Sequence, residues 1–166
     1  LVPEITLATQ TVERVSARFP GRVAVWHSAL SPGERYDTWE RVRGGELQIV
    51  VGPRSALFAP VKNLGLIIVD EEHEPAYKQR DRPPVFHARD AALKLGQLNN
   101  ALVLLGSATP DVTSYRRAER GEYRLLHLPN RILAHTKHLA VQKALLKRGK
   151  MIVAPAPESD FVALPL

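Results

Sequence analysis

Short apolar runs alternate with helical patterns along this chain, and the alternation limits the folds that it can adopt. The runs that predict strands cover residues 22–26, 47–51, 64–69, 102–105 and 123–126. Residues 9–19, 31–43 and 87–98 have helical spacing, and the second segment opens with the capping box Ser31-Pro32-Gly33-Glu34. Strands joined by helices at this spacing form right-handed crossovers. The sequence therefore predicts an α/β fold with a parallel sheet that helices cover on both faces.

Composition narrows the class of protein further. The 166 residues are enough for one domain with a buried core. Cysteine is absent, so disulfides and cysteine–zinc sites are excluded. No apolar run approaches the ~18 residues that cross a membrane, and no signal-peptide pattern opens the chain. We expect a cytoplasmic protein without membrane contact.

The chain is expected to have two parts, residues 1–130 and residues 131–166. Its opening residues, Leu1-Val2-Pro3-Glu4-Ile5, lack methionine and resemble the end of a buried strand, which favours a piece of a longer protein. Residues 131–150 carry six basic residues and no acidic one, whereas the rest of the chain balances 17 basic with 17 acidic residues. Residues 136–148 predict a basic amphipathic helix, and Pro155, Pro157 and Pro165 predict an extended linker.

Polar residues follow two of the predicted strands, at the point where each strand ends. The apolar run 66–69 leads into Asp70, Glu71, Glu72 and His73, and the run 101–105 leads into Gly106-Ser107-Ala108-Thr109-Pro110. Ligand sites of open α/β sheets lie at the carboxyl ends of the strands. The placement of these residues indicates nucleotide chemistry. The alternative is that Asp70 and Glu71 only cap a strand and solvate the loop after it.

These residues belong to a longer series of matching segments. They cover residues 1–5, 9–11, 27–31, 34–35, 51–60, 70–73, 77–79, 87–90 and 106–110. Through this ordered series the chain resembles the PriA family, or primosomal protein N′, of superfamily 2 DNA helicases, which act in replication restart. The resemblance implies that residues 1–130 form part of the first RecA-like, ATP-binding lobe of the motor, without its P-loop strand.

The resemblance also implies roles for the residues at the strand ends. Asp70 would hold Mg²⁺ through water, and Glu71 would polarise the water that attacks ATP. His73 would link this site to Ser107 and Thr109, whose hydroxyls can change partners with the nucleotide state. ATP and Mg²⁺ are therefore the expected cofactors.

Contacts to single-stranded or forked DNA are implied at other positions. The backbone-contacting residues would be Pro3, Thr9 and Gln10, together with Arg54 and Ser55. Proline at position 53 removes an amide donor where the family pattern has threonine. The residues after the acids would sense single-stranded bases through an aromatic and basic loop that includes Tyr77, Lys78, Phe86 and Arg89. A packing role for Phe86 and a surface ion pair for Arg54 are the alternatives.

The sequence lacks parts that a working helicase needs. No G-x-x-x-x-G-K-[ST] motif occurs, so no glycine-rich loop is present to hold the phosphates. The resemblance places that loop before Leu1, and it requires a second RecA-like lobe and other primosome proteins as partners. We therefore expect this polypeptide alone to be inactive in ATP hydrolysis and unwinding. The alternative is a catalytically dead DNA-binding module or a decayed gene product. A metal-dependent nuclease would need further carboxylates.

The basic segment 131–150 has two interpretations. It either binds DNA phosphates, which would make binding sensitive to salt, or forms a solvated helix beside the lobe. Replacement of Lys143, Lys147 and Arg148 by glutamine separates the two.

Overall fold

The computed structural model describes residues 1–3, 5–81, 83–128 and 160–165, with the backbone alone for residues 5–10 and 160–165. The helices are α1 (Ile5–Arg18), α2 (Pro32–Gly44), α3 (Ala88–Asn99) and α4 (Val112–Glu119). The strands are β1 (Val23–Val25), β2 (Ile49–Val51), β3 (Leu66–Val69), β4 (Lys78–Gln79), β5 (Phe86–His87), β6 (Leu102–Ser107), β7 (Tyr123–Leu128) and β8 (Asp160–Pro165). Short 3₁₀ turns cover Arg54–Phe58 and Pro75–Tyr77.

Parallel strand pairs form the framework of the fold. β1 pairs with β2 from Val23↔Ile49, and β3 pairs with β6 from Leu66↔Leu102. Residues 1–2 lie between these two pairs. The Leu1 carbonyl accepts from the Asp70 N–H at 3.0 Å, and the Val2 N–H donates to the Gly52 carbonyl at 3.0 Å. The carboxyl ends of the strands therefore meet along one edge.

Helices pack on both faces of the β1–β2 pair, as the sequence predicted. Val12 of α1 packs with Val2 and Val51 on one face. Val42 of α2, which is fully buried, packs with Ala24 and Leu47 in a separate cluster. The α/β class and the helix covering predicted from sequence are confirmed for this part of the sheet.

The main core lies between α3, α4 and the β3–β6 pair. Val69, Ala92 and Val103 are at most 1% exposed and belong to one buried cluster. Gly96 lets α3 approach β6 closely, because a Cβ at that position would lie 2.4 Å from Cγ2 of Val103. On the other side of the same strands, Leu66 and Ile68 are about half exposed.

β8 makes the sheet mixed rather than wholly parallel. It pairs antiparallel with β6 through Leu105↔Ala163 and with β7 through Leu125↔Ala163. The sequence predicted an extended linker here because Pro155, Pro157 and Pro165 are typical of linkers. Pro165 lies at the end of β8, where a missing N–H is tolerated.

The predicted helix over 136–148 lies outside the described residues. Within the described part of the chain, no helix is long and apolar enough to cross a membrane.

Candidate functional site

The acidic residues lie in a tight turn at the end of β3. Asp70 is exposed, whereas Glu71 is partly exposed and has a positive φ of 49°. The backbone carbonyl of Asp70 accepts a hydrogen bond from the Tyr77 hydroxyl at 2.7 Å. A buried side chain thus holds the backbone of the turn, while the carboxylates of Asp70 and Glu71 remain at least partly exposed. We call residues 70–74 the acid turn.

His73 brings the acid turn into contact with the end of β6. Its Nδ1 lies 2.6 Å from Oγ of Ser107, and its Nε2 lies 3.4 Å from Oγ1 of Thr109. The Ser107 hydroxyl also accepts from the Thr109 N–H at 3.0 Å. His73 Nδ1 is 3.6 Å from Oε2 of Glu71. The structure therefore places together the three residues for which the sequence predicted a coupling role.

This contact follows from the pairing of β3 with β6. The Glu72 N–H donates to the Gly106 carbonyl at 3.0 Å, which aligns the acid turn with the residues after β6. Ser107 is 5% exposed, so its hydroxyl needs a hydrogen-bond partner within the protein, and His73 supplies one. Adjacent parallel strands give this arrangement because their carboxyl ends share one edge.

Glu72 was not selected from the sequence, yet it is the most buried acid of the turn. It is 1% exposed. Its Oε2 accepts from Arg89 Nη1 at 3.0 Å and from Ser114 Oγ at 2.8 Å. Its Oε1 accepts from the Asp111 N–H at 2.6 Å. We call Glu72, Arg89, Asp111 and Ser114 the Glu72 junction. The sequence gives no local signal for it, because four consecutive polar residues look alike until α3 and α4 are in place.

Neighbouring charges shift the pKa of two members of the Glu72 junction, Arg89 and Asp111. Burial alone would lower the pKa of Arg89, but the hydrogen bond to Glu72 and the nearby carboxylates raise it. Partial burial opposes the charge of Asp111, but the Thr113 N–H and the Arg89 guanidinium lower its pKa. Both groups are therefore held in their charged forms.

Three of the residues predicted to contact DNA, Pro3, Arg54 and Ser55, follow chain segments that end at the carboxyl edge. Pro3 is partly buried after residues 1–2, and Ser55 is exposed in the turn Arg54–Phe58. Arg54 Nη1 donates to the carbonyls of Ala76 and Lys78 at 3.1 and 3.2 Å. Thr9 and Gln10 lie in α1, where the backbone alone is described.

The predicted sensor loop contains the antiparallel β4–β5 hairpin, in which Lys78 pairs with His87. Lys78 is exposed, and Phe86 packs edge-on against Phe58 with ring centroids 5.4 Å apart. Tyr77 is fully buried, and burial together with Asp70, Glu71 and Glu74 raises its pKa. Arg89 is 8% exposed in the junction. In this conformation Tyr77 and Arg89 support the site from inside rather than offering surface to DNA.

The at least partly exposed carboxylates of the acid turn fit the ligand requirements of Mg²⁺. Among the described residues, no group of three or more His, Cys, Asp or Glu could hold a metal ion by itself. Mg²⁺ in phosphate-transfer sites needs only one or two carboxylates, because water and the substrate phosphates supply its other ligands. The exposed Asp70 carboxylate at a strand end is compatible with that use.

Comparison with known proteins gives consistent matches. The family model for DEAD/DEAH box helicases matches residues 1–118. The replication restart protein PriA of Chlamydia pneumoniae is 51% identical over 151 residues, which are 90% of this chain and 20% of that protein. The PriA protein of Bacillus subtilis is 52% identical over 132 residues, or 80% of this chain and 16% of that protein. The PriA protein of Haemophilus influenzae is 48% identical over 131 residues, or 79% of this chain and 18% of that protein. The chain thus spans at most about a fifth of the length of these relatives.

Proposed function

Because this chain belongs to the DEAD/DEAH box helicase family, we propose that it supplies part of the motor of an ATP-dependent DNA helicase that acts in replication restart. One observation carries the proposal. The acid turn follows β3 and lies beside the end of β6. Nδ1 of His73 is 2.6 Å from Oγ of Ser107, which links the two strand ends. A site that hydrolyses a nucleotide and reports its state needs acids and a movable polar contact at one sheet edge.

The two exposed acids would perform different steps. Asp70 would hold Mg²⁺ through water, and Mg²⁺ would neutralise charge on the phosphates of ATP. Glu71 would orient the attacking water and accept its proton. Asp70 is exposed and Glu71 is partly exposed, so both carboxylates are accessible to a ligand. The acid turn therefore separates a metal-holding carboxylate from a water-orienting one.

His73 would couple hydrolysis to movement. Its two ring nitrogens face Ser107 and Thr109 at 2.6 and 3.4 Å. Each hydroxyl can donate or accept a hydrogen bond, so both can exchange partners without a change in charge. Such an exchange would change the loop after β6 when the nucleotide state changes.

Single-stranded DNA would lie across the remaining part of the carboxyl edge. The backbone near Pro3, Thr9 and Gln10 would contact phosphates, as would Arg54 and Ser55. Lys78 and Phe86 would meet the strand at the hairpin, while Tyr77 and Arg89 would hold the hairpin in place. These contacts carry no base identity, which suits movement along DNA of any sequence. We propose movement from 3′ to 5′, with a second RecA-like lobe and other primosome proteins as partners.

The test is the effect of Glu71→Gln on ATP hydrolysis by the protein expressed from its full native reading frame. The variant keeps the size of the side chain but removes the base. We expect DNA-stimulated phosphate release to fall on the order of a hundredfold, the usual contribution of a general base. Glu119→Gln, on the exposed face of α4, is the matched control and should retain the activity of the unaltered protein.

The two function classes predict different results in this experiment. A helicase motor requires DNA-stimulated hydrolysis in the unaltered protein and its loss in the Glu71 variant. If the unaltered protein binds single-stranded DNA but does not hydrolyse ATP, the DNA-binding module replaces the motor as the function.

A further inference from the structure

A buried carboxylate lies between the two parts of the acid turn that the proposed function uses. Glu72 separates Glu71 from His73 in sequence, and three donors from outside the turn hold its side chain. Neither oxygen faces solvent, since the residue is 1% exposed. Glu72 therefore has no access to nucleotide or DNA, and its role must act through its neighbours.

The Glu72 junction joins the acid turn to the start of α3 and to the start of α4. Arg89 lies in the first turn of α3, directly after the β4–β5 hairpin. Asp111 is the N-cap of α4 and lies two residues after Thr109. Ser114 belongs to α4 itself. The hairpin and the Thr109 loop are therefore each linked to the Glu72 carboxylate within two residues, through Arg89 and through the Asp111 N–H.

The chemistry of the junction favours orientation over stability. One Arg89 nitrogen, Nη1, lies 3.0 Å from Glu72 and 3.1 Å from Asp111, so a single guanidinium spans two carboxylates. Buried ion pairs of this kind add little stability compared with apolar residues of the same size. They are directional, however, and a satisfied polar network fixes the position of its members. The junction is well suited to hold the acid turn in one position.

We propose that Glu72 and Arg89 are positioning residues that align Asp70 and Glu71 with Thr109 and make this alignment depend on the β4–β5 hairpin. The inference rests on the proposed function and adds to it the residues through which the hairpin reaches the hydrolytic acids. Arg89 and Glu72 do not touch the reacting atoms. Their effect is on how strongly single-stranded DNA stimulates hydrolysis.

The experiment measures basal and DNA-stimulated ATP hydrolysis by the protein from its full native reading frame, with Glu72→Gln and Arg89→Lys. We expect the ratio of stimulated to basal rate to fall about tenfold in Glu72→Gln, because DNA binding at the hairpin can then no longer improve the alignment of the acids. The KM for ATP should change by less than about twofold, since no ground-state contact is removed. Arg89→Lys keeps the positive charge but loses the planar guanidinium. Its ratio of DNA-stimulated to basal hydrolysis should therefore lie between those of the unaltered protein and Glu72→Gln.

A purely structural role gives a different result. Partial unfolding lowers basal and stimulated rates together and leaves their ratio unchanged, which would overturn the inference. If Glu72→Gln does not fold, Ser114→Ala removes one of the three donors without changing any charge. Its control, Thr113→Ala, removes an exposed hydroxyl from the neighbouring position of the same helix.

Ser114→Ala and Thr113→Ala together separate a positioning role of the Glu72 junction from a purely structural one. A lowered ratio in Ser114→Ala but not in Thr113→Ala supports it, and equal ratios overturn it. A failure of the proposed function is distinguishable, because the unaltered protein would then show no DNA-stimulated hydrolysis at all. That result would remove the inference together with the function on which it rests.

Discussion

Glu71, the proposed water-orienting residue of the acid turn, has a strained backbone conformation. Glu71 has a φ of 49°, in the left-handed region where a side chain costs roughly 1–2 kcal/mol relative to the right-handed region. This conformation lets Glu72 enter the interior while Asp70 stays exposed. Strained residues of this kind concentrate at functional sites. The carboxylate at position 71 is therefore better explained by chemistry than by stability.

The strain at Glu71 gives a prediction about stability. Glycine at this position relieves the strain, whereas glycine at Glu74, which has a φ of −64°, relieves nothing and adds chain entropy to the unfolded state. We expect Glu71→Gly to be more stable than Glu74→Gly by about 1 kcal/mol in urea unfolding. Glu71→Gly should also lack hydrolysis. Equal stabilities would show that the turn is not strained.

At the scale of elements, close packing of α3 on β6 holds the two parts of the site together. α3 carries Arg89 at its beginning, and β6 ends at Ser107. Gly96 makes the approach possible, since a Cβ there would lie 2.4 Å from Val103 and 3.1 Å from the Ala101 carbonyl. The Ala101 N–H in turn donates to the Gly96 carbonyl at 2.9 Å. The spacing between helix and strand is therefore set by one glycine.

Gly96→Ala tests this packing. The added methyl group must displace Val103 in a closely packed core, which typically costs about 1–3 kcal/mol. We expect the free energy of unfolding, measured with urea, to fall by that amount. The matched control is Gly44→Ala at the end of α2, where a Cβ has no neighbour within 4 Å. That control should gain up to ~1 kcal/mol from helix propensity, and a similar gain in Gly96→Ala would contradict the packing argument.

At the scale of the whole molecule, charge is distributed unevenly. The chain has a net charge of +6, and residues 131–150 contain six basic residues without an acid. The remainder is balanced, so attraction to DNA at long range would come from one segment. The segment lies outside the described residues, and its role stays a prediction from sequence.

Salt dependence of DNA binding tests that prediction. Glutamine at Lys143, Lys147 and Arg148 removes up to three phosphate contacts, each worth a slope of about 0.7 in log affinity against log salt for a single strand. We expect fluorescence anisotropy to show weaker binding and a slope reduced by about 2. The control variant has glutamine at the exposed residues Lys94, Arg120 and Arg124. It changes the net charge by the same amount but outside residues 131–150. Equal effects of both triple variants would show that total charge, not the segment, controls binding.

The sequence by itself determined the fold class and the position of the acids. Apolar runs of strand length and helical spacing are local patterns, and they predicted β3, β6 and α3 to within a few residues at each end. The capping box at Ser31 is present as predicted. The proximity of His73 to Ser107 could be predicted as well, because the carboxyl ends of parallel strands share an edge.

Tertiary structure decided which polar residues are buried. Tyr77 and Arg89 resemble surface residues of a loop in the sequence, but Tyr77 lies in the main core and Arg89 pairs with Glu72 and Asp111. α4 was not predicted, because its eight residues are mostly polar and its start is defined by the Asp111 cap. β8 depends on strands that are distant in sequence. Burial and pairing of this kind depend on partners far along the chain, and no local pattern of residues contains that information.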